Sequence, residues 1–218
     1  MNSILIIGAG RFGIKAAKKL SKQYGQSAVT ILDKNQEVCR TLEADAFKAV
    51  CTEGIRWLCE HPDAVDHADW VVPCIPVHVA YEWIKCRLKQ TDYWLQPLTV
   101  PLELATQLPN AFAGPNGQLY VSNADFLCPE NCPEPDDICT YTGKPRPRIL
   151  HQTLRDLKYP HHTSVVIRSR QLAPGVGGYP PGDLHRALGQ VLQAKGPILL
   201  STACSCHGVM HAFEILAS

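Results

Sequence analysis

The stretch Ile4-Leu5-Ile6-Ile7-Gly8-Ala9-Gly10-Arg11-Phe12-Gly13 constrains this chain more than any other part of it. Four consecutive apolar residues read as a central parallel strand covered on both faces. After the glycines, Phe12, Ala16, Ala17, Leu20 and Tyr24 recur at helical spacing, with Lys15, Lys18, Lys19 and Lys22 on the remaining arc. A G-x-G-x-x-G turn is weak evidence alone and strong evidence between a strand and a helix. Gly8 permits the tight turn, Gly10 lets backbone N–H groups approach a diphosphate, and Gly13 lets helix and strand pack closely. The helix N-terminus adds a partial positive charge for the phosphates.

A second strand, Val29 to Leu32, ends at Asp33, 20 residues after Gly13. A carboxylate there accepts hydrogen bonds from both ribose hydroxyls and repels a 2′-phosphate, which favours NAD over NADP. The expected cofactor-binding set is Gly8, Gly10, Arg11, Phe12, Gly13 and Asp33; a tight turn with no ligand and an adenosine ligand such as S-adenosylmethionine are the alternatives. Asn35 can cap a second helix through about Leu42. Phe47 to Cys51 reads as a third strand, a short helix passes through Trp57 and Leu58, Asp69 to Pro76 reads as a fourth strand, and Val79 to Leu88 as a helix. This alternation predicts an α/β fold with a Rossmann-type parallel sheet and right-handed crossovers. Ligands of such sheets lie outside the carboxyl ends of the strands, so Cys74 and His78 are weak catalytic candidates for proton transfer beside a nicotinamide. The plainer reading is that Cys74 packs and His78 caps the local turn.

The glycine segment, with Val29-Thr30-Ile31-Leu32-Asp33-Lys34 and Ala68-Asp69-Trp70-Val71-Val72-Pro73, resembles the NAD-binding TrkA-N (RCK) domain of potassium-transport regulators over roughly the first 90 residues. The resemblance implies a nucleotide on Gly8, Gly10, Gly13 and Asp33, and a sensing role as the alternative to a catalytic one. It does not extend to the cysteine-bearing segment after residue 127, which those regulators lack.

From Tyr93 the texture changes, which divides the chain into a dinucleotide-binding region, 1–92, and a cysteine-rich α/β region, 93–218, that either extends the same sheet or begins another. Pro115-Asn116-Gly117 looks like a turn feeding the strand Leu119 to Ser122. Residues 128–147 carry cysteine, proline and charge without periodicity and read as a long irregular loop of the functional kind. A further βαβ unit follows: Ser164 to Arg168 as a strand, a Gly/Pro-rich connection over 171–182, a helix from Asp183 to about Gln193, and a strand from Pro197 to Thr202. The connection reads as an ordinary βα link, or as an anion cradle with Arg168 and Arg170 beside it. Lys144 to Arg148 reads as a solvated basic linker or a partner-docking strand.

Ten cysteines is a high count. Cys39, Cys51, Cys59 and Cys86 lie singly in apolar or amphipathic stretches and read as small buried hydrophobes. Cys128, Cys132 and Cys139 form C-x3-C-x6-C, and Cys204-Ser205-Cys206-His207 follows a predicted strand. Three loop thiols and one from a strand tip make a four-ligand site for a [4Fe-4S] cluster or a zinc ion. Two Cys-Pro steps and the lack of a C-x2-C pair favour the cluster. Which of Cys204 and Cys206 ligates stays open, and His207 reads as a hydrogen-bonding neighbour. Glu130, Glu134, Asp136 and Asp137 add negative charge to the same loop.

Lys plus Arg number 21 against 20 Asp plus Glu, so no long-range field draws in nucleic acid or an anionic membrane. The apolar runs fall short of the roughly 20 residues that span a bilayer, and no room precedes Ile4 for a cleavable leader. A cytoplasmic location is expected. No Ser/His/Asp set, paired-carboxylate motif or P-loop is visible. The sequence therefore points to an NAD(H)-binding redox protein, an oxidoreductase in enzyme terms, carrying a [4Fe-4S] cluster. The alternative is a non-enzymatic NAD-sensing regulator with structural zinc. The substrate, a redox partner protein and a homo-oligomeric state are left open.

Overall fold

The computed structural model describes residues 3–217 apart from Asp136 and Pro147. The share of Asp136 in the loop charge and of Pro147 in the basic stretch therefore lies outside the described residues.

The first sheet is built as its hydrophobic pattern requires. Strands β1 (Ile4–Ile7), β2 (Val29–Asp33), β3 (Lys48–Cys51) and β4 (Trp70–Pro73) are all parallel, in the order β3-β2-β1-β4. The fully buried run Ile4 to Ile7 takes one of the two interior positions, with β2 in the other. Helix α1 (Arg11–Tyr24) buries Gly13, Ala16, Ala17 and Leu20. Helix α2 (Gln36–Ala44) starts at Asn35, whose side chain accepts from the N–H groups of Glu37 and Val38 at 3.0 and 3.3 Å. Helices α3 (Gly54–Glu60), α4 (Pro62–Asp66) and α5 (Val79–Leu88) complete the unit.

After α5 the chain leaves that sheet. Strands β5 (Tyr93–Leu98), β6 (Phe112–Ala113) and β7 (Leu119–Ser122), with the short α6 (Leu102–Gln107) between the first two, enter a second, mixed sheet. Helix α7 (Leu150–Arg155) precedes β8 (Thr163–Arg168), and the hairpin β9 (Arg170–Ala173) and β10 (Val176–Gly178) precedes α8 (Pro181–Gln193), β11 (Ile198–Ala203) and β12 (His207–Ala217). The parallel pairing of β8 with β11 across α8 is the expected βαβ unit. It belongs to the second sheet and does not extend the first. The eleven-residue β12, for which no strand was expected, pairs with β11 on one side and with both β7 and β5 on the other. The 171–182 connection is a hairpin rather than a plain loop, and it lies along the open edge of β4. Val71 and Tyr179 exchange backbone hydrogen bonds of 2.9 and 3.0 Å there.

One apolar core joins the two sheets. Leu5, Ile7 and Leu32 from the first share a buried cluster with Val165, Ile167, Leu200 and Phe213 from the second, through Trp83 and Ile84 of α5 and Leu184 of α8. Cys59 and Cys86 are not lone thiols: they meet as a disulfide between α3 and α5, with Cα atoms 6.4 Å apart. Cys39 is buried as expected and Cys51 is exposed.

Candidate nucleotide and thiolate site

The glycines of the turn answer different demands. Gly8 has φ of +99°, and its N–H donates to the Leu32 carbonyl at 2.7 Å. A Cβ at Gly13 would fall far inside contact distance of the Gly8 carbonyl oxygen, so helix and strand can meet only through a glycine. At Gly10 a Cβ would meet nothing within 4 Å. Nothing in the protein needs that side chain to be missing, and the open space is where a diphosphate would lie against the N-terminus of α1. That helix has no acidic residue in its first turn and no side-chain cap, so its leading N–H groups are left for a ligand. Asp33 braces the turn: Oδ2 accepts from the Ala9 N–H at 2.6 Å and Oδ1 from the Asn35 N–H at 2.8 Å.

Cys74 packs beneath this turn, its Cβ close to Gly13, and burial pushes its thiol up to about 12. His78 is turned into the joint between the sheets. Its Nδ1 lies 3.0 Å from His211 Nδ1 and its Nε2 2.8 Å from Thr202 Oγ1, so both ring nitrogens are used inside the protein. Burial, and then the neighbouring His211, push it down to about 3.

Cys128, Cys132, Cys139, Cys204 and Cys206 all line one cavity of about 530 Å³, and Phe12 of the glycine turn forms part of the same wall. The last two thiols sit in the turn between β11 and β12, closed by the Cys204 N–H on the His207 carbonyl at 2.9 Å. The first three come from the irregular loop, folded back by the Cys139 N–H to the Lys144 carbonyl and the Arg146 N–H to the Asp137 carbonyl at 2.9 and 2.8 Å. Several sulfurs are met by backbone donors. Cys204 Sγ accepts from the N–H groups of Cys206 and His207 at 3.4 and 3.3 Å, and Cys132 Sγ from that of Glu134 at 3.4 Å. Hydrogen bonds from the Thr142 hydroxyl and backbone, and from the Tyr141 backbone, hold the Cys139 thiol below its usual value. Burial drives Cys204 the other way, up to about 12, with Glu134 adding to the effect. Cys128 is raised by burial and then by Cys132 and Cys139.

Arg146 and Lys144 are the cations that line this cavity, and Arg146 reaches the thiols. Arg146 Nε donates to the Pro135 carbonyl at 2.6 Å and its Nη1 contacts Cys206 Sγ. Glu134 accepts from the Ser205 N–H, and His207 Nδ1 lies 4.0 Å from Cys204 Sγ. No three His, Cys, Asp or Glu side chains among the described residues converge closely enough to enclose a single metal ion. The thiols surround a space rather than a point.

The cysteine loop is docked on α1 by Arg11, expected at the cofactor, and by Lys15 and Lys19, expected on the arc of the helix away from the sheet. Glu130 pairs with both Arg11 and Lys15, the second at 3.1 Å, and Lys15 Nζ also reaches the Glu130 carbonyl at 2.9 Å. Lys19 donates to Asn131 Oδ1 at 2.9 Å and to the Pro174 carbonyl. Gly175, with φ of +72°, is pressed so closely on the Glu130 carbonyl that no side chain fits. Residues 11, 15 and 19 follow an i, i+4, i+8 row, which is the signal that marks one basic face of the helix.

The arrangement so far is a Rossmann-type turn joined to a thiol-lined cavity from a second sheet. Residues 4–84 match the TrkA-N domain, which bears out the resemblance read from the sequence and places the N-terminal unit in a class that includes NAD(H)-binding regulatory domains. The chain belongs to the family described as "Uncharacterized protein, C-terminal domain", which matches residues 80–216. A protein of Archaeoglobus fulgidus, described as "Uncharacterized protein", is 29% identical over 226 aligned residues, covering 96% of this chain and 98% of that one. Among the described residues no helix is long and apolar enough to cross a membrane.

Proposed function

We propose that this protein is an NAD(H)-binding redox protein that carries a [4Fe-4S] cluster on Cys128, Cys132, Cys139 and Cys204, beside its nucleotide turn. The observation that carries the reading is the convergence of five thiols, from segments more than 60 residues apart in sequence, on a cavity that Phe12 also lines. Backbone N–H groups directed at sulfur stabilise thiolate ligands. Cys132, Cys139 and Cys204 each receive them. Cys204 Sγ accepts two backbone N–H bonds, which favours it as the fourth ligand, and Arg146, in contact with Cys206, is placed to offset the negative charge of a thiolate set. A cavity of about 530 Å³ suits a four-metal group better than one zinc held by bonds of about 2.3 Å. When bound, such a cluster supplies one-electron chemistry; the chain orients its ligands and holds the nucleotide turn against the same wall.

Anaerobic purification followed by absorption spectroscopy and metal analysis tests this. The expected result is brown protein with about four irons and four labile sulfides per chain, bleached by air. Cys132→Ala and Cys204→Ala should lose most of the iron, while Cys206→Ala and Cys39→Ser should keep it. One zinc and no iron would replace this reading by an NAD-sensing regulator with structural zinc. Free alkylation of all five thiols in folded, metal-free protein would remove the site itself.

A further inference from the structure

Taking the glycine turn as the dinucleotide site, we infer that Glu130 is an anionic latch on that site, which the incoming diphosphate must displace. Nucleotide binding is thereby coupled to the cysteine loop.

Helix α1 opens at Arg11, directly after the open position Gly10, with no acidic side chain of its own in the first turn. The carboxylate that answers its cations comes from residue 130, between Cys128 and Cys132, and bridges Arg11 and Lys15 one helical turn apart. A diphosphate seated on the Gly8 to Gly13 turn brings its charge to the same helix end. Arg11 cannot serve both anions without placing them side by side, so the carboxylate must yield or the phosphate must bind more weakly. Yielding is easy, because the Arg11 side chain is 75% exposed and Glu130 43% exposed, and a solvated ion pair holds little free energy.

The remaining anchors do not depend on the Glu130 carboxylate. Lys15 binds the Glu130 backbone carbonyl, Lys19 binds Asn131 and Pro174, and the Gly175 N–H donates to the Cys132 carbonyl at 3.0 Å. Removing the charge therefore leaves the loop docked. What changes is the freedom of Arg11 to meet a phosphate, and reciprocity requires that nucleotide weaken the Glu130 latch by the same factor.

Calorimetric titration of NAD+ into anaerobically isolated wild-type protein and Glu130→Gln tests the latch. The variant should bind about two- to fivefold more tightly at low salt, which is what an exposed ion pair can supply, and the advantage should shrink as ionic strength rises. A thermal melt and metal analysis of Glu130→Gln should match wild type, showing that the change is not one of folding or loading. Equal or weaker affinity in the variant overturns the latch while leaving the nucleotide reading intact. No binding by either protein overturns both.

Discussion

The two halves of the site are specified in opposite ways. In the parallel sheet, β1 pairs with β2 and β4 and β2 with β3, and the turn proposed to receive the nucleotide is six consecutive residues. In the mixed sheet, β12 carries Ala217 back to Tyr93 and Met210 to Leu119, so its strands find partners across long stretches of chain. The thiol cavity inherits that character, drawing on residues 128–139 and 204–206. Local steric demands leave a mark in a short window of sequence. Long-range convergence leaves residue types without saying where they meet.

The strongest way to break this contrast lies within the turn. Gly13→Val would drive a side chain into the Gly8 backbone, with no rotamer that escapes, and should cost about 3 kcal/mol or more. For a chain of this size that lowers Tm by about 10 °C. Gly10→Val has open space around its Cβ and should melt within about 2 °C of wild type while losing NAD binding. Scanning calorimetry with nucleotide titration separates the two. Equal destabilisation by both variants would mean that Gly10 serves the fold and that its open space is not a ligand's.

Most of the first sheet was legible: the strand runs, the Asn35 cap and the Asp33 position each follow from pattern or spacing and stand where expected. Asp33 bonding Ala9 was not, since spacing shows a carboxylate near the turn without showing that it braces it. The second sheet was legible as its βαβ unit and as β7, which runs from Leu119 to Ser122 as its turn signal predicts. Strand β12 escaped because its half-buried sequence, His207 to Ala217, mixes small, polar and apolar residues without alternation, and its identity comes from three partners. Lys15 and Lys19 read as solvated because their acceptors, Glu130, Asn131 and Pro174, are more than 110 residues away. Cys59 and Cys86 lie on different helices, and only the packing of α3 on α5 brings them together.

A second test asks whether the two regions unfold as one. His78 and His211 are the polar part of their joint, with Tyr81 stacked on His211 at 4.1 Å. Burial, then His211, hold His78 down at about 3, and burial, then Lys85, hold His211 at about 4. Both folded values lie below the unfolded histidine value of about 6.5, so the unfolded chain binds more protons and stability rises with pH. The contribution is complete above about pH 6.5 and is lost as pH falls from there toward 4 and then 3. Tm should drop by several degrees between pH 7 and 4, and His211→Gln should flatten part of that slope. A wild-type Tm independent of pH over this range, or two separate transitions, would show that the joint does not bind the regions together.

The smallest effect should come from Asp33, which sharpens the contrast because it changes ligand choice and not architecture. Its carboxylate stands at the end of β2 beside the turn, where a ribose 2′-phosphate would meet like charge. Wild-type protein should therefore favour NAD(H) over NADP(H) by about tenfold, a like-charge penalty of roughly 1.4 kcal/mol. Asp33→Asn keeps an oxygen that can accept from the Ala9 N–H while removing the charge. The turn should hold, Tm should shift by no more than about 2 °C, and the preference should narrow severalfold. Titration of both nucleotides into both proteins measures each term. Equal affinity of wild-type protein for NAD(H) and NADP(H) would sink the assignment of Asp33 to the ribose. A large fall in Tm for Asp33→Asn would instead make its bond to Ala9 a structural requirement, and the residue would join Gly13 among those that the fold itself demands.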